Sequence, residues 1–169
     1  MRFQFPLLLL VLTVLGTSGC NSIDEDATVV GTWTLDTYNY NLVRTFDTEE
    51  DTSVREVWLQ ENGVAPEWEF TENPNTYRLL TPITIERTFT DFDDTATTTT
   101  TTGVNNITGT WTRTEDRLTL SNIQNRELTF DIQRLNEEEL RLRWDEVSSR
   151  DFNGFAVDEE ESISFELQR

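Results

Sequence analysis

The sequence predicts an all-β protein, an antiparallel up-and-down β-barrel of about eight strands that follows a distinct N-terminal segment. Three observations carry this prediction. From residue 28 onward apolar and polar residues alternate with a period of two, the pattern of strands with one buried and one wet face. The segments between these runs are short and turn-like, which joins neighbours antiparallel, because parallel strands need long crossovers. Thr is common throughout, and its branched Cβ suits a pleated surface. Closing such a meander into a barrel removes its exposed edges. A β-sandwich is the rival architecture, but it usually needs longer Greek-key connections than these turns.

In chain order, residues 28–37 read as the first strand. Residues 50–63 suit either a short helix or a strand, and Val54-Arg55-Glu56-Val57-Trp58 favours the strand. Glu67-Trp68-Glu69-Phe70-Thr71 alternates cleanly and Asn73-Pro74-Asn75 turns the chain. Residues 76–89 form a long strand pattern in which Pro82 demands a bulge, a break or an edge. The Thr run at 97–102 is either an extended ribbon or a loop. Residues 107–114 and 117–121 pair across Glu115-Asp116. Leu128-Thr129-Phe130-Asp131-Ile132 follows, then Leu140, Leu142 and Trp144 on one face, with Ile163, Phe165 and Leu167 in the last strand. The acidic tract 158–161 reads as a solvated loop before it.

The first twenty residues follow another pattern. Arg2 gives a short positive start, residues 7–15 are apolar except Thr13, and Gly16, Thr17, Ser18 and Gly19 lead into Cys20. This is the layout of a secretory signal peptide, and the apolar run is shorter than the ~20 residues a membrane-spanning helix needs. The Gly19-Cys20 junction resembles the lipobox of bacterial lipoproteins, with Thr17 where that motif usually has Leu. The resemblance implies cleavage before Cys20 and lipidation of Cys20 by diacylglycerol and a fatty N-acyl chain of the palmitate type. It also implies residence in the bacterial envelope as an outer-membrane lipoprotein, on the periplasmic or the cell-surface face. The chain divides into a signal peptide (1–19), a lipidated cysteine with an acidic tether (20–27) and a barrel domain (28–169). Asp24, Glu25 and Asp26 make the tether polar, and Cys20, the only cysteine, has no disulfide partner.

Composition excludes most chemistry. All 13 basic residues are Arg, against 32 Asp and Glu, and the formal charge is -19. Nucleic-acid binding needs clustered cations and is not expected. With no His and no Lys, the chain can build no Ser-His-Asp or Cys-His site, Schiff base or imidazole metal site. Asp91, Asp93 and Asp94 could attract Ca²⁺, but the loop around them lacks the EF-hand pattern. The sequence therefore predicts no catalytic residues, metal or cofactor. Paired carboxylates are the one enzymatic chemistry left, and 32 acids make chance pairs inevitable.

Gly31-Thr32-Trp33 on the first strand resembles the Gly-x-Trp signature of lipocalins, and Gly109-Thr110-Trp111 repeats it. The phrase from Phe70 to Tyr77, Leu118-Thr119-Leu120 and Leu140-Arg141-Leu142 resemble hairpins of lipocalin-like lipoproteins, so the likeness spans residues 29–167. The Thr-Asp-x-x-Tyr segment of typical lipocalins is absent. The resemblance implies that Gly31, Trp33, Gly109 and Trp111 are barrel-closing structural residues, with the glycines allowing close backbone approach beside the rings. A typical lipocalin stacks a late Arg on the first-strand Trp. Arg143 alternates outward and Arg169 ends the chain, so both stay open for that role. For function it implies a monomer, held on the membrane by its lipid anchor, with a small apolar ligand in the barrel mouth. The lining residues are unknown at this level. The alternative is a non-catalytic lipoprotein with a filled barrel that contacts another envelope protein.

Overall fold

The computed structural model describes residues 22–46, 51–59, 65–80, 83–102, 107–123, 125–152 and 155–169; the expected signal peptide at 1–19, Cys20 and Pro82 lie outside them. The described residues form twelve β-strands and no helix. These are β1 (Ser22–Ile23), β2 (Gly31–Phe46), β3 (Asp51–Leu59), β4 (Glu67–Thr71), β5 (Thr76–Leu79) and β6 (Thr84–Thr90). They continue as β7 (Ala96–Thr102), β8 (Thr108–Thr114), β9 (Arg117–Ile123), β10 (Arg126–Leu135), β11 (Glu139–Phe152) and β12 (Phe155–Gln168).

Eight of these strands close a barrel in the order β2-β4-β5-β8-β9-β10-β11-β12, and β12 returns to pair with β2. Every pairing in the ring is antiparallel between strands adjacent in this order, the up-and-down topology that short turns impose. Of the remaining strands, β1 pairs parallel with β10 at Arg134 and Leu135, and β3, β6 and β7 prolong the sheet upward. The first half of β2 pairs with β4 and its second half with β3, so β3 and β4 lie end to end along one edge. β6 pairs with β3 as β5 pairs with β4, and β7 pairs with β6 as β8 pairs with β5.

The long strand read at 76–89 is thus two strands that break between Leu79 and Thr84, around Pro82. The ambiguous stretch at 50–63 is strand where it is described, as β3, and the Thr run is strand β7. One expectation is overturned. Residues 158–161 are not a loop but the middle of β12, hydrogen-bonded to β11 on one side and β2 on the other. Alternation explains it: Glu159 and Glu161 face Arg side chains, while exposed Asp158 and Glu160 lie on the opposite face.

The core fills the lower half of the ring. Trp33, Leu35, Phe70, Tyr77, Leu118, Leu120, Phe130, Ile132 and Leu140 are all but inaccessible to solvent. A register shift in β2 opposite Glu166 and Leu167 inserts one residue, a bulge that keeps both Leu35 and Tyr38 turned inward. Above it the sheet β11-β12-β2-β3-β6-β7 stays open, because β10 pairs with β11 only as far as Arg143.

Candidate functional site at the barrel mouth

Trp33 is fully buried, and its indole Nε1 donates to the Val29 carbonyl at 2.8 Å. The Arg169 guanidinium lies over the ring, 4.2 Å from its centroid, and donates Nη2 to the carbonyls of Val30 (2.6 Å) and Thr28 (3.1 Å). Between the two sequence candidates, geometry selects Arg169; Arg143 points away and pairs with Asp145. Gly31 has φ +134° and would bring a Cβ within 3.2 Å of Arg169 Nη2, so a side chain there would be strained and crowded. Trp111 is buried and donates Nε1 to the Thr71 carbonyl at 2.9 Å. Gly109 abuts the Ser121 carbonyl and the Tyr77 ring rather than Trp111; a Cβ would sit 2.4 Å from that carbonyl oxygen.

Above this packed floor an open cavity of about 440 Å³ occupies the mouth. Alternation supplies its apolar wall: Ile163 and Phe165 from β12, Trp68 from β4, Tyr38 from β2, and Ile83, Ile85, Ile107 and Ile123 around the rim of the ring. The rings hold one another. Trp68 stacks on Tyr77 (5.7 Å) and meets Phe165 edge-on (5.6 Å), and Phe165 stacks on Tyr38 (5.3 Å). Trp68 Nε1 is itself buried, with no acceptor among the described residues, so the ring shows carbon to the cavity. Beneath it the residual void is only about 10 Å³, lined by Phe70, Leu120, Leu142 and Leu167 beside the two rings. The barrel is filled below and hollow above.

Polar groups sit at the rim. The Glu56 carboxylate accepts the Tyr38 hydroxyl at 3.3 Å and faces Arg87 Nε at 3.5 Å. Thr101 of β7, in the same sheet as Glu56 and Arg87, also lines the cavity, with Asn122 and Asn125. Both asparagines adopt left-handed backbone (φ 65° and 60°), a conformation Asn tolerates in turns, and this bends β9 into β10. The Asn122 side-chain amide donates to the Thr108 carbonyl at 2.9 Å. Glu56 is the only carboxylate among the described residues lining the cavity, whereas a glycosidase-type site needs two.

The face that continues the barrel interior upward carries further ion pairs. Arg44 and Arg150 both reach Glu159 (2.5 and 2.8 Å), and Arg126 clamps Glu161 with both terminal nitrogens (2.6 and 3.1 Å). Arg126 also lies 5.1 Å from the centre of the Trp144 ring. The Tyr40 hydroxyl in this cluster is pushed up to about 12, by burial first and then by the charges of Glu161 and Glu56. Burial also raises the Tyr77 hydroxyl, which donates to the Ser121 carbonyl. Asp91, Asp93 and Asp94 lie in the β6–β7 turn, where Asp91 accepts the Phe92 amide (2.8 Å) and Asp93 the Thr95 amide (3.0 Å). Among the described residues no group of three or more acidic, Cys or His side chains is arranged to hold a metal ion.

Sequence reasoning named residues of the closed end as structural and none of those that line the mouth as ligand-binding. Glu56, Arg87, Thr101, Asn122 and Asn125 come from separate elements, and only the Asn pair bore a local signal, as turn residues. Compared with known proteins, the chain matches no family model, no curated protein and no solved structure.

Proposed function

We propose that this protein is an envelope-anchored, lipocalin-like lipoprotein that holds a small apolar molecule in the mouth of its barrel and does not transform it. The cavity carries this reading: about 440 Å³ with an apolar wall and a polar rim falls within the ~300–1,000 Å³ usual for small-molecule sites. The Arg169–Trp33 stack at the closed end supports the lipocalin likeness, because typical lipocalins place a late Arg on the first-strand Trp. The layout of residues 1–20 supports export and lipidation at Cys20. Two acyl anchors or more would hold the barrel, as a monomer, on the membrane. The competing reading, a filled barrel that serves only to contact another envelope protein, has the packed lower half in its favour and the hollow mouth against it.

The deciding experiment titrates the neutral fluorescent probe N-phenylnaphthylamine into the segment 22–169, which contains all twelve strands and the closed ring. Saturable binding is expected, weakened at least ~tenfold by Ile85→Trp, which fills the mouth. A titration with no saturable phase favours the filled-barrel reading. Separately, Cys20→Ser in the full chain is expected to leave an unprocessed precursor or a soluble domain that no longer enters the detergent phase. Membrane attachment equal to wild type would place the anchor elsewhere.

A further inference from the structure

We infer that the mouth takes an uncharged amphipath, an apolar body with a small neutral head such as a hydroxyl or an amide, and that it rejects anions. This inference rests on the mouth being a binding site, and it names the chemistry of the occupant.

The charges on the wall lead to it. Glu56 and Arg87 are the only ionic side chains among the described residues lining the cavity, and they face each other. The other Glu56 oxygen is taken up by the Tyr38 hydroxyl. A ligand carboxylate at this rim would meet Glu56 and compete with it for Arg87. A ligand ammonium would do the reverse. Either brings its charge against the like member of the pair, a repulsion that a neutral head does not meet.

The same balance extends upward. By strand register, Arg44, Glu56, Arg87, Glu146, Arg150, Glu159 and Glu161 share the face that continues the barrel interior, and Arg126 reaches into it. Four Arg thus meet four Glu on this face, although the whole chain stands at -19. The acid excess lies elsewhere and acts on a ligand only at long range, where it repels anions. What the rim offers a head is neutral: the Thr101 hydroxyl and the amides of Asn122 and Asn125 can both donate and accept. Deeper in, Trp68 shows ring carbon, which suits the apolar body.

The test displaces bound N-phenylnaphthylamine from segment 22–169 with three probes of equal chain length: dodecanol, dodecanoate and protonated dodecylamine. Salt at ~0.3 M KCl shortens the Debye length, so that the comparison reads the mouth rather than the whole field. Dodecanol is expected to displace the dye at a concentration at least ~tenfold below either ionic probe. Glu56→Gln should narrow the dodecanol-to-dodecanoate ratio at least ~threefold, whereas Glu160→Gln, on the opposite face, should leave it unmoved. Dye binding with equal displacement by an ionic probe overturns the neutral-ligand inference and leaves the mouth as a binding site. A ratio indifferent to Glu56→Gln, or equally sensitive to Glu160→Gln, also overturns it, because the discrimination would then not come from the cavity wall. Absence of dye binding removes the site itself, and the inference with it.

Discussion

At the scale of single residues, the closed end depends on a contact between the two ends of the barrel sequence. Trp33 supplies a large buried surface, and Arg169 covers it while tying off the carbonyls of Thr28 and Val30. Trp33→Ala should destabilise the domain by ~3–5 kcal/mol, the usual cost of truncating a buried aromatic, and Arg169→Ala by ~1 kcal/mol. Urea melts of both variants measure this, and a loss below ~1 kcal/mol for Trp33→Ala would mean that the ring is not part of the core. A second residue-scale effect is set by tyrosine ionisation. The Tyr40 hydroxyl ionises near 12 in the folded protein against 10 when unperturbed, so the unfolded chain releases this proton first as pH rises. The associated stability is complete below pH 10 and disappears as pH climbs toward 12. Stability should therefore fall across that window, and Tyr40→Phe should flatten the fall when melts are recorded at successive pH values. A slope unchanged by Tyr40→Phe would assign the loss to other groups, the buried Tyr77 among them.

At the scale of elements, the extension above the ring has two free edges of opposite composition. The free part of β11 carries Asp145, Glu146, Arg150 and Asp151, charges that discourage pairing with another chain. β7 carries none, and every one of its residues is exposed. Its links to the rest are the β6 ladder and threonine hydroxyl pairs such as Thr88–Thr98 (3.1 Å). Since β7 buries nothing, Thr98→Ala and Thr100→Ala should each change stability by less than ~0.5 kcal/mol, whereas Ile132→Ala, in the ring core, should cost ~2–5 kcal/mol. Comparable losses at both places, measured in urea, would show that β7 is packed into the core.

At the scale of the molecule, charge dominates. Cleavage before Cys20 would leave 150 residues with 12 Arg and 32 acids, a side-chain charge of -20. Ion pairs among the described residues engage Glu56, Glu69, Asp131, Glu139, Asp145, Glu159, Glu161 and Glu166. Salt weakens these partly exposed pairs, worth ~1 kcal/mol or less where both partners are exposed, but it also relieves the repulsion among 32 acids set against 12 Arg. The second effect should win. The segment 22–169 should melt at a higher temperature in ~2 M KCl than in ~0.05 M KCl, and a flat or falling series would mean that repulsion is not a major destabilising force.

The sequence by itself determined the fold class, because alternation and short turns are local. Leu118, Leu120, Leu128, Phe130, Ile132, Leu140 and Leu142 are legible as inward residues one strand at a time, and the structure buries each of them. It could not settle which Arg covers Trp33. That choice depends on where the end of β12 returns beside the start of β2, a pairing between the two ends of the barrel sequence. Nor could it show that residues 158–161 are strand, since four consecutive acids look solvated until Arg44, Arg126 and Arg150 arrive from three other strands. The cavity was the least legible feature of all. It arises because β9 and β10 stop short of the long strands β2, β11 and β12, so the ring closes only in its lower half, and Glu56, Arg87 and the two asparagines meet at the rim through that closure. Local patterning chooses strands and their wet faces; the relative length and register of distant strands decide where the barrel stays hollow.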